Sequence, residues 1–364
     1  MATQYRYLLA DVLTNNILAE LSLTNVNFTQ QLNAAGSFTG DLLLSGVNST
    51  SLNVLNSTIP GRCAVYVDRS GTLVWGGIIW AREWDSANQH LKISAREFES
   101  YFERRRIIST LAFEGVDQLV IAQELIEAAQ SVPYGNIGVV VPTTTSGVII
   151  GSQVYYGYEL KTYFSALSDL AKNNNGFDFN IAVSYDGSKN PVKTLQLGYP
   201  RLGNASTTSV SVPVFTLPAG NIIQYNYKED GTKAVNSLYA TGAGSNEGKL
   251  IANSVDSTKT ASGWPLLEDS TNYSNITDST LLSGLASGQV LAASYPPQTI
   301  QVVAPPYLDP VYGSYAIGDQ ARLVIQDPFY PSQFDGNYRI IGLNVTPGEN
   351  AGERVTITMT TTTN

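Results

Sequence analysis

Residues 73–106 read LVWGGIIWAREWDSANQHLKISAREFESYFERRR. From Leu73 to Trp80 the run has no polar side chain at either parity, so a strand here is covered on both faces. Gly76 and Gly77 point to a bulge or to a close approach of another backbone. After a polar turn the chain returns as HLKISA, where Leu91, Ile93 and Ala95 alternate with His90, Lys92 and Ser94. That strand has one dry face and one wet face. An aromatic and basic segment follows: Tyr101, Phe102, then Arg104, Arg105 and Arg106. The only histidine, His90, and three of the four tryptophans, Trp75, Trp80 and Trp84, lie in this window.

The chain has 364 residues, 43% of them hydrophobic and 14% charged. Soluble proteins usually carry about 25% charged residues. A lower share fits a surface committed to other protein surfaces. The net charge of −9 argues against gripping a nucleic-acid backbone, which needs a basic patch. It allows a path along which DNA slides without sticking. One cysteine, Cys63, excludes an internal disulfide and reads as a small buried hydrophobe. One Cys and one His make a zinc site improbable, and nothing calls for a cofactor. The start, MATQYRYLLAD, carries no signal-peptide pattern, and no apolar run reaches membrane-spanning length. Synthesis in a cytoplasm without membrane insertion is expected.

Working outward, residues 1–108 read as strands separated by Asn, Gly, Ser and Asp turns. Residues 109–214 read as a small α/β unit. Asp117 is placed to cap a helix through QLVIAQELIEAAQ, with Leu119, Ala122, Ile126 and Ala129 on its apolar face. A second helix, ELKTYFSALSDLAKNN, buries Tyr163, Phe164, Leu167 and Leu170 and ends at the asparagine run. Strands return over 215–245 and 295–364, and the Ser/Asn/Gly/Thr-rich stretch 246–294 reads as an insertion with short helices. CAVYVD…TLVWGGIIWAREWDS…HLKISAREF runs parallel to ARLVIQD…NYRIIGLNVTPGEN…ERVTITMT. Each has a strand ending in Asp (Asp68, Asp327), a strand with an Ile-Ile pair (Ile78-Ile79, Ile340-Ile341), and an alternating strand. This faint repeat suggests two similar β-barrels. The fold class expected is α+β, mainly β.

Chemistry has few footholds. Glu97 and Glu99, two apart in a strand, form a carboxylate pair of the kind that hydrolyses sugars. With Glu103 and Arg104 to Arg106 next to them, a surface ion-pair cluster or subunit contact is the better reading. No Gly-x-Ser-x-Gly elbow surrounds a serine, so His90 reads as a surface strand residue. TGAGSNEGKL misses the dinucleotide fingerprint and the phosphate loop and reads as a connector. Trp75 and Trp80 suit core or subunit interface better than sugar stacking. Trp84 is left open, and Trp264, between Gly263 and Pro265, is a candidate partner contact.

The string VYVDRSGTLVWGGIIWAREWDSANQHLKISAREFESYFERRRI resembles the first barrel of minor tail proteins from long-tailed actinobacterial phages. These are similar to the baseplate hub proteins of contractile tails. The likeness rests on Asp68-Arg69-x-Gly71, Trp75 to Trp80, Tyr101-Phe102 with Arg104 to Arg106, the helix ending AAQSVPYGNIGV, and YNYKEDGTKAVNSLYATG. The resemblance implies two tail-tube-like barrels, 1–108 and 215–245 with 295–364, around the α/β domain 109–214 and the inserted subdomain 246–294. It also implies a homotrimer at the tail tip of a virion, in which six similar barrels join a sixfold tail tube to a threefold central fibre. Distal tail proteins would be further partners, with phage DNA passing through the lumen without specific binding. Interface candidates are Trp75, Trp80, Tyr101, Phe102, Arg104, Arg105, Arg106 and Trp264. A tail-associated cell-wall hydrolase and a receptor-binding module are the alternatives.

Overall fold

In a computed structural model the chain is described over residues 3–44, 49–173, 175–205, 211–273, 276–293, 298–348 and 352–361. It divides into two compact units, Met1–Tyr225 with Val302–Asn364, and Asn226–Gln301. The architecture is α+β and mainly β.

The first unit begins with β1 (Tyr5–Asp11), β2 (Ile17–Leu21), β3 (Thr24–Gln31), β4 (Ser37–Leu43), α1 (Ser49–Ser57), β5 (Cys63–Arg69), β6 (Thr72–Asp85) and β7 (His90–Glu97). Their spatial order is β3-β4-β7-β6-β5-β1-β2. Adjacent strands lie about 4.8 Å apart, so in a flat sheet β3 and β6 would be roughly 14 Å apart. Yet the Trp75 indole on β6 donates to Thr29 O on β3 at 2.9 Å, so the sheet curls around its side chains. Tyr7, Phe38 and Trp75 pack in series inside the curl, the first pair edge-on and the second tilted, with ring centroids 6.2 and 5.3 Å apart.

The other face of β6 is also covered. A short α2 (Glu99–Phe102) leads to β8 (Leu111–Asp117), α3 (Gln118–Gln130), β9 (Val139–Val140), β10 (Ile149–Tyr155), α4 (Tyr163–Ala171), β11 (Asp178–Tyr185) and β12 (Pro191–Gly198). Asp117 caps α3 by accepting from Leu119 N at 2.8 Å. Thr162 caps α4, which starts later than the sequence suggests. Tyr66, Ile78, Phe98 and Phe102 share one core with α3, α4, β11 and β12. The expectation of a strand with no wet face holds, and Gly76 shows why. A Cβ there would lie 2.8 Å from Tyr66, 2.9 Å from Val183 and 3.0 Å from Phe98.

The remaining strands of the main sheet are β13 (Val214–Leu217), β14 (Gln224–Glu229), β18 (Gln298–Ala304), β19 (Gln320–Ile325), β20 (Phe334–Thr346) and β21 (Arg354–Thr361). As expected, Val355, Ile357 and Met359 of β21 are buried. β19-β20-β21 is an antiparallel meander like β5-β6-β7. The long middle strand of each has a register shift at its Ile-Ile pair, between Ile79 and Ala81 in one and between Ile340 and Gly342 in the other. β20 then joins the two strand sets. One of its edges pairs with β21. The other pairs with β19 up to Arg339 and with β3 from Gly342 to Val345.

The second unit contains β15 (Ser237–Thr241), β16 (Ile251–Val255), α5 (Ser257–Ala261), β17 (Glu268–Asn272) and α6 (Ser279–Ala293). This corrects the expected boundaries. The expectation puts second-barrel strand at 215–245 and the insertion at 246–294; within 215–245 β14 does pair in the main sheet, but β15 does not. Instead β15 is the centre of a separate sheet, antiparallel to β16 and parallel to β17. Leu238 and Ala240 draw it there by packing on Leu282, Ala286 and Val290 of α6. TGAGSNEGKL is the β15–β16 turn, inside the unit.

Gly77 is the tightest point of the covered hairpin: a Cβ would lie 2.2 Å from Arg96 O, a ladder carbonyl. Gly77→Ala is expected to lower stability by about 2–3 kcal/mol in urea unfolding, because overpacking here forces backbone to move. Gly187→Ala, with nothing within 4 Å of the added carbon, is expected to stay within about 0.5 kcal/mol of the parent.

Candidate functional site

The polar groups that lie deepest in the first unit sit where its layers meet. The Asp68-Arg69-x-Gly71 turn joins β5 to β6. Asp68, 1% exposed, accepts from Gly71 N and from the Tyr185 hydroxyl, both at 2.7 Å. It thus closes its own turn and ties it to β11. Arg69 points the other way. Its guanidinium forks onto Glu353 at 2.7 and 3.0 Å, donates to Tyr312 O at 3.3 Å and lies 5.0 Å from the Tyr312 ring centre. The Tyr5 hydroxyl donates to the same carboxylate at 2.5 Å. Burial and the nearby Glu353 charge push the Tyr5 phenol far up. One turn therefore holds the first strand set to the α/β layer and to the second strand set.

A second junction forms around Asp178 at the start of β11. It accepts from Asn33 at 2.8 Å, from Leu202 N at 2.9 Å and from the Arg339 guanidinium of β20. Arg339 also reaches Leu202 O and Gly318 O. Asn33, at φ 59 in the β3–β4 turn, accepts from Phe179 N at 2.8 Å. Asp319 closes the corner, accepting from Asn204 N at 2.6 Å and Ala316 N at 2.8 Å.

Glu97 and Glu99 belong to this junction, and their expected place on the surface is wrong. They are 3% and 2% exposed. β7 ends at Glu97, so the pair does not share a strand face. Glu97 accepts from Gly36 N at 2.6 Å, and Glu99 accepts from Ile181 N at 2.5 Å. Each carboxylate satisfies a backbone N–H that has no neighbouring strand. Burial raises both pKa values, Glu99 to about 7; the Glu99 charge adds to the rise at Glu97. The surface ion pair forms instead between Arg96 and Glu103, at 2.6 Å.

The interface candidates sort by burial. Trp75 and Phe102 are 0% and 1% exposed, so they lie inside their own chain and offer no side-chain surface to a partner. Trp80 is the extra residue of the β6 bulge and donates to Ser100 Oγ at 2.8 Å. Tyr101 donates to Gly135 O at 3.0 Å and Arg106 to Leu160 O at 3.1 Å. The guanidinium of Arg105 lies 5.8 Å from the Tyr101 ring centre. This segment braces the strand set on the α/β layer. Arg104 is exposed, and Trp84 is 49% exposed. In the second unit Trp264 is 37% exposed, with Lys259 Nζ 4.0 Å from its ring centre.

Sequence reasoning did not single out Asn33, Asp178, Arg339 or Glu353. Arg339 and Asp178 are 161 positions apart, and no local pattern marks such a pair. Among the described residues no group of His, Cys, Asp and Glu is placed to hold a metal ion. Among the described residues no helix is long and apolar enough to cross a membrane.

No protein-family model and no curated protein sequence matches the chain. Solved structures do. A tail protein from Neisseria meningitidis MC58 superposes with a TM-score of 0.65 at 14% identity, over 97% of this chain and 96% of that one. The 43 kDa tail protein of prophage MuSo2 from Shewanella oneidensis gives 0.64 at 14%, over 98% of both. A chain of the Francisella PdpA–VgrG complex gives 0.58 at 7%, over 99% of this chain and 58% of that one. The protein has the fold of phage tail proteins, shared with VgrG-type hubs.

Two outcomes follow from the junctions. In the folded chain Glu99 holds its proton to about pH 7, against a usual 4.5. Across that interval the native state binds the proton more tightly than the unfolded chain, so its contribution is complete below the lower value and is lost as pH rises through the upper. Tm is expected to fall from pH 4.5 to 8, and Glu99→Gln should flatten that slope. Arg69→Met leaves the partly buried Glu353 without its fork and should cost about 2 kcal/mol in urea unfolding. A double-mutant cycle with Glu353→Gln should recover part of that loss.

Proposed function

We propose that the protein is a structural component of a phage tail, a hub at the tail tip assembled from three copies. The observation that carries this is the end-to-end match to tail proteins, over 97% and 98% of this chain and 96% and 98% of theirs. The doubled meander supports the trimer. Three chains with two similar strand sets each present six, which suits a sixfold tail tube on one side and a threefold fibre on the other. Tube-like barrels, a ring that guides or gates DNA exit, and contacts to distal tail and fibre proteins complete the proposal. On this reading the protein works mechanically. The deep polar groups tie layers together, and Glu97 and Glu99, closed in by backbone, have no room for a sugar between them.

One observation favours receptor binding by the second unit as an additional role. On the sheet face turned away from α6, Tyr239, Ile251 and Val255 are 41%, 65% and 44% exposed. Apolar residues on an open sheet face suit a partner surface.

Light scattering across a concentration series tests the hub. A molar mass three times that of the chain is expected. A monomer at all concentrations, together with peptidoglycan turnover by the purified protein, would overturn the hub in favour of a hydrolase. Deletion of residues 231–296, which spares β14 and β18 of the main sheet, should leave the trimer intact. Loss of cell-wall pulldown with that deletion would assign the binding role to the second unit.

A further inference from the structure

A cleft of about 590 Å³ opens along β12, lined by Pro142 and Thr144, by Thr194 to Leu197, and by the segments around Asn204 and Tyr315. That volume is in the range of peptide and small-molecule sites. Its floor is the edge of β12 that faces away from β11.

The hydrogen-bond pattern shows which groups that edge presents. Phe179 N bonds to Asn33 and Ile181 N bonds to Glu99, so both point away from β12. Their register partners Leu197 and Leu195 are therefore non-hydrogen-bonded pairs, and their own N–H and C=O groups point to the opposite edge. There β9 pairs in parallel, Val139 with Lys193 and Val140 with Thr194. Val139 uses its N–H and C=O on Gln130, so Val140 faces β12 and takes up Lys193 O and Leu195 N. The next donor in line would be residue 142. It is Pro142, which has no N–H. Pro142 therefore cannot close the next bond to Leu195 O, and among the described residues no loop carbonyl accepts from Leu197 N–H, so this pair of groups faces the cleft.

The opposite wall includes Tyr315, whose hydroxyl is buried with Glu353 and Arg69 as its charged neighbours, so it is not offered to the cleft. The one charged side chain on the lining, Asp319, already accepts two backbone N–H groups. The cleft thus offers one main-chain acceptor and one main-chain donor, with no free charge among its described lining residues.

We propose that this cleft binds an extended, uncharged peptide segment of a partner protein, which adds to β12 where β9 breaks off. One ligand residue donates its N–H to Leu195 O and accepts from Leu197 N–H. This is strand addition, in which main-chain bonds supply affinity. Its polar complement to the cleft singles out peptide backbone over a charged ligand. The inference is independent of the tail-hub proposal, since it rests on the β12 edge alone.

The test uses the full chain and a fluorescein-labelled peptide of alternating threonine and valine, read by fluorescence polarisation. Saturable binding is expected at about 0.1–1 mM, the range a few main-chain hydrogen bonds support. The same peptide methylated on every backbone nitrogen should not bind. Leu197→Pro removes the donor and should weaken binding roughly tenfold, whereas Tyr315→Phe should leave it unchanged. Hydrogen exchange keeps the test open if Leu197→Pro unfolds: in the parent, the Leu197 amide should exchange fast alone and slow down with peptide. Equal binding of the methylated peptide, no binding up to the solubility limit, or a Leu197 amide unchanged by peptide would each overturn the proposal.

Discussion

The first unit depends on a division of labour along one strand edge. β20 pairs with β19 through Arg339, and from Gly342 the same edge pairs with β3. Between the two, from Ile340 to Gly342, its register with β21 on the opposite edge shifts, and such a bulge bends the strand. The two strand sets thereby become one continuous hydrogen-bonded sheet, and their relative position follows from backbone geometry before any side chain is considered. Four register pairs, Gly342 to Val345 with Gln31 to Phe28, form that seam. Gly342 suits the place, since a Cβ would already lie 3.3 Å from Gln30 O.

Around this seam, buried ion pairs fix orientation more than they add stability. Removing charges from water offsets much of what their attraction returns. Arg69 with Glu353 connects the two strand sets, and Arg339 with Asp178 connects the second set to the α/β layer, so an arrangement must satisfy both. That supports a conformational-specificity role, and the coupling energy of Arg69 and Glu353 measures it.

What the sequence revealed follows the range of the interactions. Alternation in HLKISA, the double burial of Leu73 to Trp80, and the helix through Leu119, Ala122, Ile126 and Ala129 are periodic patterns within one element, and each stands in the structure. The repeat was legible because the bulged meander recurs with its Ile-Ile pair. The insertion boundary was not. β15 has the same strand pattern whether it pairs with a barrel or with β16 and β17, and the choice is made by Leu238 and Ala240 meeting α6. The candidate site was half legible. The Asp68-Arg69 turn stood out, but its partner Glu353 did not. Glu97 and Glu99 were misplaced because charge predicts exposure, unless a backbone N–H waits inside.

That last misreading changes how the acidic composition bears on function. The net charge of −9 counts every carboxylate as if it met solvent. Asp68, Glu97, Glu99, Asp117, Asp178 and Asp319 are buried, against Lys193 and Lys259 among the cations. Most of these acids hold backbone N–H groups at turns, caps and layer junctions, which is a structural use of charge. The accessible surface is therefore less acidic than the composition suggests. A repulsive path for DNA would have to come from the exposed acids that an assembled ring brings together. Its source would be symmetry, with the same few carboxylates repeated around an axis, rather than the charge of a single chain.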